Sequence, residues 1–345
     1  MLDAEEGRMK TWFADAILSG MEGDVVVSAA RFFGLSERAM RVWMDRLVER
    51  GWFVEWGLPG DRCYRLGEKC EIVRTYHPHR RVDAGVVWEM FFQPFFALTP
   101  NVREIARFGF TEMLRHAFAH ADAKAVTAQA RLVDGVLTIA IVDDGAGIFG
   151  KVGESLDLPD KRMAVLELAK GCPVLGRGVL GGERVFLMAH LFDWFSVQAD
   201  GLQFVRNAVS QDERVTGKVA FSAASVREGT AVMMGIENGS HRRLAEVMGR
   251  FAKGERALFF CRTIVPVKLA SLGGEALASR EQARRLMRRL EGFEEVVLDF
   301  SGVSRIGLSF ADEIFRVFVC AYPFVRLGVV NALPAVERVI GQMRQ

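Results

Sequence analysis

Three side chains with acid–base or ligand chemistry recur at regular spacing in a predicted helix. Glu112, His116 and His120 lie four residues apart, which places all three on one face of an α-helix. A carboxylate in that setting can act as a general base, and imidazole can accept a proton or bind a transition metal. A metal site would need a further ligand, which the sequence does not identify. We therefore expect no metal here and interpret the stripe as the lining of a polar pocket.

A second chemical signal follows a strongly apolar segment. Residues 136–142 are mostly apolar and β-branched, and Asp143, Asp144, Gly145 and Gly147 come directly after them. A carboxylate at the end of a buried strand can accept hydrogen bonds from a ligand, and glycines let a backbone approach that ligand closely. This segment therefore predicts a binding site at a strand end.

The elements that position these residues can be predicted locally. Residues 125–132 and 136–142 are predicted strands, and Asp134-Gly135 between them is a strong hairpin signal. A glycine-rich segment, residues 171–184, leads into a predicted helix at 185–192. Such a loop can hold phosphate groups through backbone N–H donors and the positive end of the helix dipole.

The arrangement resembles the nucleotide-binding core of the GHKL ATPases, the group that includes DNA gyrase, histidine kinases and anti-sigma serine kinases. That family carries Glu-x-x-x-Asn-Ala-x-x-His on a helix and Asp-x-Gly-x-Gly at a strand end. This chain has Glu-Met-Leu-Arg-His-Ala-Phe-Ala-His at 112–120 and Asp-Asp-Gly-Ala-Gly at 143–147. The resemblance implies a GHKL-type α/β sandwich over residues 100–240.

The resemblance also implies roles for individual residues. Asp143 would accept the amino group of adenine, and Glu112 would be the catalytic residue that positions or deprotonates the nucleophile. The implied nucleotide-binding residues are His116, His120, Asp143, Gly145, Gly147, Gly182, Arg184 and Thr230. ATP or ADP is the implied ligand.

Two positions depart from the family pattern. The family's magnesium-binding asparagine is His116 here, and imidazole is a poor ligand for Mg²⁺. The family's Gly-Glu-Gly at the helix entrance is Gly182-Glu183-Arg184. This arginine would either pair with a phosphate or fill the pocket, and the sequence leaves both alternatives open. The sequence therefore makes Mg²⁺ a doubtful cofactor, whereas nucleotide binding remains the expectation.

Length and composition limit the classes of protein to consider. The chain has 345 residues, of which 50% are hydrophobic and 26% charged, so two or three folded domains are expected. The formal net charge of +2 neither favours nor excludes nucleic acid. The five cysteines form no CxxC pair, which is typical of reduced thiols. With no signal-peptide pattern, we expect a cytoplasmic protein without a membrane partner.

Residues 1–67 have the order of a small DNA-binding unit. Three predicted helices, the third capped by Ser36, are followed by two short strands. This order resembles a winged helix-turn-helix domain, in which the third helix enters the major groove and the wing contacts the backbone. DNA is the implied partner, through Arg38, Arg41 and Arg46 on the helix and Arg62 on the wing. Because acidic residues dilute this charge, docking of a protein partner or homodimerisation is the alternative.

Residues 68–99 are predicted to connect this unit to the central domain. An aromatic-rich segment at 86–98 is predicted as a helix that Pro100 ends.

Residues 255–345 alternate between predicted strands and helices, which is typical of a layered βα domain. The segment LDFSGVSRIGLSFADEIFRVF at 298–318 resembles STAS-like domains, which are related to anti-sigma-factor antagonists. Antagonists of that type carry a phosphorylatable serine where a loop enters a helix. Here that position falls on Leu308, so we expect the neighbouring Ser309 to cap the helix rather than accept phosphate.

The predicted architecture is therefore a multidomain α+β protein: a winged helix, a GHKL α/β sandwich and a STAS-like βα domain. We expect a bacterial cytoplasmic transcriptional or signalling regulator with a DNA-binding winged helix and a degenerate nucleotide-binding domain coupled to the STAS-like domain. One alternative is an active ATPase or anti-sigma-type protein-serine kinase. Another is a pseudo-ATPase that serves as a scaffold for protein interactions.

Overall fold

The N-terminal unit consists of three helices and a hairpin. A computed structural model describes residues 2–21, 23–58, 61–78, 82–172, 182–207, 218–223, 228–252, 260–271 and 274–343. The elements of the first unit are α1 (Leu2–Leu18), α2 (Val25–Phe33), α3 (Glu37–Glu49), β1 (Phe53–Leu58) and β2 (Asp61–Leu66). The Ser36 side chain accepts a hydrogen bond from the backbone N–H of Ala39 at 3.2 Å, so the predicted cap of α3 is confirmed.

This unit has a small hydrophobic core of its own. Its centre is formed by side chains from all three helices and the hairpin, among them Phe13, Val26, Met40, Met44 and Phe53. Helices α2 and α3 each bury one apolar face in this core, whereas α1 contributes Phe13 and Ala16 to it and Ala14 to the core of the central unit.

The central unit is built on a seven-stranded sheet in which every neighbouring pair is antiparallel. Its spatial order is β3-β4-β5-β9-β6-β7-β8. The strands are β3 (Cys70–Tyr76), β4 (Val126–Val133), β5 (Val136–Asp143), β6 (Trp194–Ala199), β7 (Leu202–Asn207), β8 (Lys218–Ala223) and β9 (Thr230–Glu237). Asp134 and Gly135 both adopt positive φ, 50° and 76°, so the predicted hairpin turn between β4 and β5 is confirmed.

Helices of the central unit pack against this sheet and against one another. They are α4 (Ala84–Phe91), α5 (Pro100–His120), α6 (Ile148–Ser155), α7 (Arg162–Ala169), α8 (Gly182–Leu191) and α9 (Leu244–Phe251). The long helix α5 packs against β4, β5 and β9, and α8 packs against β6. The aromatic rings of Trp88, Phe92 and Phe110 meet where α4 lies against α5.

Two local expectations differ from the structure. Residues 68–99 were expected to connect two domains, but they contain β3, which pairs with β4 along its whole length. Pro100 does not end a helix; it is the first residue of α5. A proline is favoured at the first position of a helix because its missing N–H would have no intrahelical partner there.

The N-terminal unit is attached to the edge of the sheet through β3. The hydroxyl oxygen of Thr11 in α1 accepts the backbone N–H of Val73 at 2.8 Å. Lys10 forms an ion pair with Glu71 at 2.9 Å, and Arg74 forms one with Asp15 at 2.5 Å. These contacts cover an edge strand whose backbone would otherwise be open to pairing.

The C-terminal unit contains a three-stranded parallel sheet in the order β10-β11-β12. Its strands are β10 (Arg262–Pro266), β11 (Glu295–Asp299) and β12 (Arg326–Val330). The helices are α10 (Arg280–Met287), α11 (Leu308–Asp312), α12 (Val319–Ala321) and α13 (Pro334–Met343), with a π-helical turn, Glu313–Phe318, between α11 and α12. Helical crossovers between parallel strands account for the alternating pattern in the sequence.

The central and C-terminal units share one continuous hydrophobic core. At their junction Lys170, with none of its side chain exposed, forms an ion pair with Glu167 at 2.7 Å. The same ammonium donates to the carbonyl oxygens of Arg285 and Arg288 at 3.0 Å, at the C-terminal end of α10. A cation is favoured there by the helix dipole. Within the described ranges, no helix is both long enough and apolar enough to cross a membrane.

Candidate functional site

The strongest candidate site is formed around Asp143, the last residue of β5. Its carboxylate is buried, with 8% of the residue exposed. Oδ1 accepts two backbone hydrogen bonds, from Gly145 at 3.0 Å and from Thr230 at 3.2 Å. Burial raises the pKa of this carboxyl to about 6, although the two N–H donors oppose the shift. Oδ2 accepts no hydrogen bond from the part of the chain that the structure describes, so one acceptor remains for a ligand.

Thr230 lies directly opposite Asp143 in the register of β5 and β9. Its backbone N–H donates to Asp143, while its hydroxyl oxygen accepts the N–H of Ile148 at 3.1 Å. Ile148 is the first residue of α6. Thr230 therefore joins the strand end to the start of the following helix, and it holds Asp143 through the backbone rather than through its hydroxyl.

The glycines after Asp143 are required by the chain itself. A Cβ on Gly145 would collide with the carbonyl oxygen of Ala121, and one on Gly147 would collide with the carboxylate of Asp200. Asp200 also accepts the N–H of Gly150 at 2.9 Å. The close approach expected of these glycines is thus to neighbouring segments of this chain, which fix the turn after β5.

Glu112 lies on α5 and is paired with Arg184 on α8. The distance between Arg184 Nη1 and Glu112 Oε2 is 3.1 Å, and the glutamate side chain is only 12% exposed. Arg115 Nη1 lies 3.3 Å from the other carboxylate oxygen. Arg184 was predicted either to pair with a phosphate or to fill the pocket; in the structure its guanidinium is paired with Glu112, and the choice between those two roles stays a prediction. Each carboxylate oxygen of Glu112 thus lies beside a guanidinium group, where a general base would need to contact its nucleophile.

His116 and His120 lie side by side on α5, with ring centroids 5.1 Å apart. His116 Nε2 is buried and has no hydrogen-bond partner among the described residues. Burial lowers the pKa of His116 to about 3, and His120, Arg184 and Lys151 add to the shift by repelling a positive charge. The pKa of His120 is also lowered, chiefly by burial. Both rings are therefore neutral at physiological pH.

Lys151 is a site residue that the sequence motifs did not indicate. Its ammonium donates to the carbonyl oxygen of His120 and pairs with Asp122. It follows Gly147 by one helical turn, and nothing in its spacing marks it as a partner of the α5 histidines. Its position became evident only from the packing of α6 beside the end of α5.

The structure brings most of the predicted nucleotide-binding residues together in two groups. Hydrogen bonds and backbone register join Asp143, Gly145 and Thr230, while α5 and the start of α8 bring Glu112, His116, His120 and Arg184 together. Gly182 is the first residue of α8. Residues 173–181 of the predicted glycine-rich loop lie outside the described residues.

The magnesium and metal interpretations find little support in the side chains. Mg²⁺ prefers hard oxygen ligands, whereas the position that would provide one holds a neutral imidazole. Among the described residues, no group of three or more His, Cys, Asp or Glu side chains is arranged to hold a metal ion. Glu112, His116 and His120 therefore share a helix face without forming such a cluster.

The four arginines predicted to bind DNA differ in their surroundings. Arg41 is paired with Asp24 at 2.5 Å, and Arg62 lies 3.2 Å from Asp45 and 3.4 Å from Glu55. Arg38 and Arg46 are exposed and form no ion pair with a described residue. Of the three arginines on α3, these two therefore lack an ion-pair partner among the described residues.

Ser309 does not cap a helix, contrary to expectation. The N-cap of α11 is Gly307, and Ser309 is the second residue of the helix, with its side chain exposed. A Cβ on Gly307 would lie 2.8 Å from the Cα of Ala278, so close packing selects glycine at the position where a capping side chain would stand.

One comparison with known protein families identifies part of the chain. A family model described as a STAS-like domain of unknown function (DUF4325) matches residues 282–337. The match runs from α10 into α13, so the C-terminal unit contains a STAS-like domain, as its sequence predicted. None of the curated proteins matches the chain.

Proposed function

We propose that this protein is a bacterial signalling or transcriptional regulator whose central unit binds an adenine nucleotide. Asp143 is the observation that carries the proposal. Two backbone N–H groups orient its buried carboxylate through Oδ1. This leaves Oδ2 as an acceptor for a ligand donor, and the exocyclic amino group of adenine is a donor of that kind.

The side chains on α5 and α8 support nucleotide binding without magnesium-dependent hydrolysis. His116 offers a neutral nitrogen where the GHKL pattern has an amide oxygen, and Glu112 is engaged by Arg184. Lys151 and Arg184 lie near this helix face, where they would contact an anionic ligand alongside Asp122 and Glu112, the carboxylates with which they are paired. The nucleotide would therefore act as a signal rather than as a substrate.

The N-terminal unit would provide the output. Its helix order and hairpin fit a winged helix, and Arg38 and Arg46 are exposed on the helix that would enter the major groove. The STAS-like domain would respond together with the central unit, because the two share a core and are joined by Lys170. A conformational change that a ligand causes in one unit would then be transmitted to the other.

A second candidate function is protein docking by the N-terminal unit. Arg41 and Arg62 are compensated by carboxylates, which lowers the positive charge available for a phosphate backbone. Val42 on α3 is 47% exposed and Trp56 on the hairpin is 59% exposed. Exposed apolar and aromatic side chains beside a reduced charge favour a protein partner or a second copy of this chain.

The test of the nucleotide proposal is calorimetry of ATP and ADP with the full chain, with and without Mg²⁺. We expect binding that does not require Mg²⁺ and that Asp143→Asn weakens by roughly tenfold or more, because an amide can present a donor to the adenine amino group. Asp144→Asn is the matched control. Asp144 Oδ1 accepts the N–H groups of Lys124 and Ala125 instead, at 2.8 and 3.0 Å. Equal affinities for the two variants would remove Asp143 from the site.

A further inference from the structure

The STAS-like domain ends in an open strand edge, the side of β12 that faces away from β11. Among the described strands, β12 pairs with β11 alone. Arg326 is exposed and the four residues after it are half-buried, whereas four of the five residues of β11 are buried. Helix α13, which follows β12, packs against α11 and the π-helical turn rather than along this edge. An open strand edge is a template on which a further strand can pair.

The hydrogen bonds to β11 show which backbone groups of β12 face the open edge. Arg326 donates its backbone N–H to the residue before β11 at 2.9 Å, and the carbonyl oxygen of Val330 accepts the N–H of the residue after β11 at 3.0 Å. Because successive residues of a strand direct their N–H and C=O groups to opposite sides, Leu327 and Val329 direct theirs away from β11. These four groups form no backbone hydrogen bond with a described residue.

The sequence of β12 does little to prevent pairing with another strand. It reads Arg-Leu-Gly-Val-Val, with no proline and a single charged residue. That residue, Arg326, begins the strand and lies 3.6 Å from Glu295 of β11. Large apolar side chains flank the strand on both sides, since Phe324 is 91% exposed and Leu333 is 50% exposed. An apolar strand edge between two exposed apolar side chains indicates an interaction surface.

We propose that β12 pairs antiparallel with β12 of a second copy of this chain, across a two-fold axis at Gly328. In this register Leu327 of one copy lies opposite Val329 of the other, and each such pair exchanges two backbone hydrogen bonds. The outward-facing groups of both copies are then all satisfied, and the two sheets become one continuous sheet. No residue of this interface belongs to the Asp143 site or to the N-terminal unit, so the interface is independent of nucleotide and DNA binding.

The arrangement of residues around Gly328 favours a second copy over an unrelated strand. The axis places Gly328 opposite its own counterpart, at a non-hydrogen-bonded position where the two backbones lie close together. It also brings Phe324 of each copy beside the turn that holds Leu333 of the other, because these residues lie four and five positions from Gly328. The two Arg326 residues are about 13 Å apart along the strands, at about 3.3 Å per residue, so like charges do not face each other.

The test is sedimentation velocity of the full chain at concentrations up to about 200 µM, where even a small specific interface is populated. We expect wild type to form a dimer. Gly328→Glu and Gly328→Lys each place like charges across the axis and should weaken dimerisation by at least about tenfold. A Cβ at this position would meet no atom closer than Val297 Cγ2 at 3.5 Å, so both variants should fold. An equimolar mixture of the two variants should dimerise again, because opposite charges then face each other.

Amide hydrogen exchange locates the contact on β12. The amides of Leu327 and Val329 should exchange at least about tenfold more slowly in the dimer, while that of Gly328, which faces β11, should not change. Gly239→Glu is the control for an added charge, since this glycine is exposed and an added Cβ would meet nothing within 4 Å.

Three outcomes would overturn the proposal. A wild-type chain that stays monomeric at about 200 µM would leave the edge to a strand of another protein. Dimerisation that both Gly328 variants retain would place the contact on another surface. A mixture of the two variants that stays monomeric would reject the two-fold axis at Gly328.

Discussion

Arg184 forms an ion pair with Glu112, in which the guanidinium nitrogen lies 3.1 Å from the carboxylate oxygen. The two residues belong to α8 and α5, so the ion pair joins the helix that carries the candidate base to the helix that follows the glycine-rich segment. If Glu112 is the general base that the GHKL resemblance implies, this ion pair engages it. His116 would then be a second obstacle to magnesium-dependent hydrolysis, because it offers a neutral nitrogen where that pattern has an oxygen ligand.

These two obstacles predict the behaviour of a double variant. Arg184→Gly should free Glu112, and His116→Asn should restore an amide oxygen for Mg²⁺. We expect magnesium-dependent phosphate release from ATP to appear in the double variant and to remain at background level in wild type and in both single variants. Adding Glu112→Gln should abolish the gain, since a positioned base contributes roughly 10²–10⁴-fold. A double variant no faster than wild type would mean that other residues block turnover.

His116 should make the fold sensitive to acid. Its pKa is about 3 in the folded protein against 6.5 in the unfolded chain, so the unfolded state gains the proton first as the pH falls. For this residue alone the linkage predicts a loss of about 2 kcal/mol in the free energy of unfolding between about pH 7 and about pH 5. His116→Asn should lack this loss, so its stability relative to wild type should rise over the same range.

Unfolding by urea at a series of pH values measures this difference. Burial also lowers the pKa of His190 and raises that of Asp143. Both contributions are common to wild type and variant and cancel in the comparison. His241→Asn is the control, because that side chain is exposed. Parallel stability curves for wild type and His116→Asn would show that His116 is not buried as a neutral ring.

Lys170 should be essential to the junction of the central unit and the STAS-like domain. Lys170→Met would remove the nearer cation of the buried Glu167 and leave Arg289 at 3.7 Å, and we expect this to cost about 3–5 kcal/mol in unfolding free energy. Adding Glu167→Gln should recover part of this loss by removing the buried charge. Lys161→Met is the matched control, since that lysine is 63% exposed and its ion pair with Asp200 is worth little. Similar melting temperatures for the two lysine variants would contradict this role.

The ion pairs of the N-terminal unit predict which arginines affect DNA binding. Replacing Arg38 and Arg46 with Ala should reduce the slope of log affinity against log salt by roughly 2, about one per phosphate contact. Replacing Arg41 and Arg62 should change it less, because Asp24, Asp45 and Glu55 already compensate them. Fluorescence anisotropy with a duplex at low salt measures both slopes. If the wild-type chain binds no duplex even at low salt, protein docking becomes the function of this unit.

Local features of the fold followed from the sequence because they depend on neighbouring residues. Asp134-Gly135 predicted a hairpin, and both residues adopt positive φ. Ser36 predicted the start of α3, and its side chain makes the capping bond. The alternating pattern of the last ninety or so residues predicted a βα domain, and the STAS-like match lies within it. Periodicity and turn chemistry determine such elements without reference to the rest of the chain.

Some local predictions were wrong because contacts with a second segment of the chain determined the local structure. Residues 70–76 became an edge strand because β4 offered a partner and α1 covered the outer side. Ser309 is not the cap because the helix already begins at Leu308, after Gly307, which packs closely against Ala278. The propensity of a short segment cannot show whether such a neighbour exists.

The sequence alone determined which chemistry the central unit carries: a carboxylate after a buried strand, and a glutamate with two histidines on one helix face. Tertiary structure decided which groups contact these side chains. It gave Asp143 a backbone donor from β9, Thr230, and it paired Glu112 on α5 with Arg184 on α8. It also placed Lys170, which follows α7 and is paired with Glu167, against the carbonyl oxygens at the end of α10. Which charged groups come into contact depends on how the helices and strands pack. An ion pair or hydrogen bond requires groups within a few ångströms of each other in space, whatever their separation along the chain.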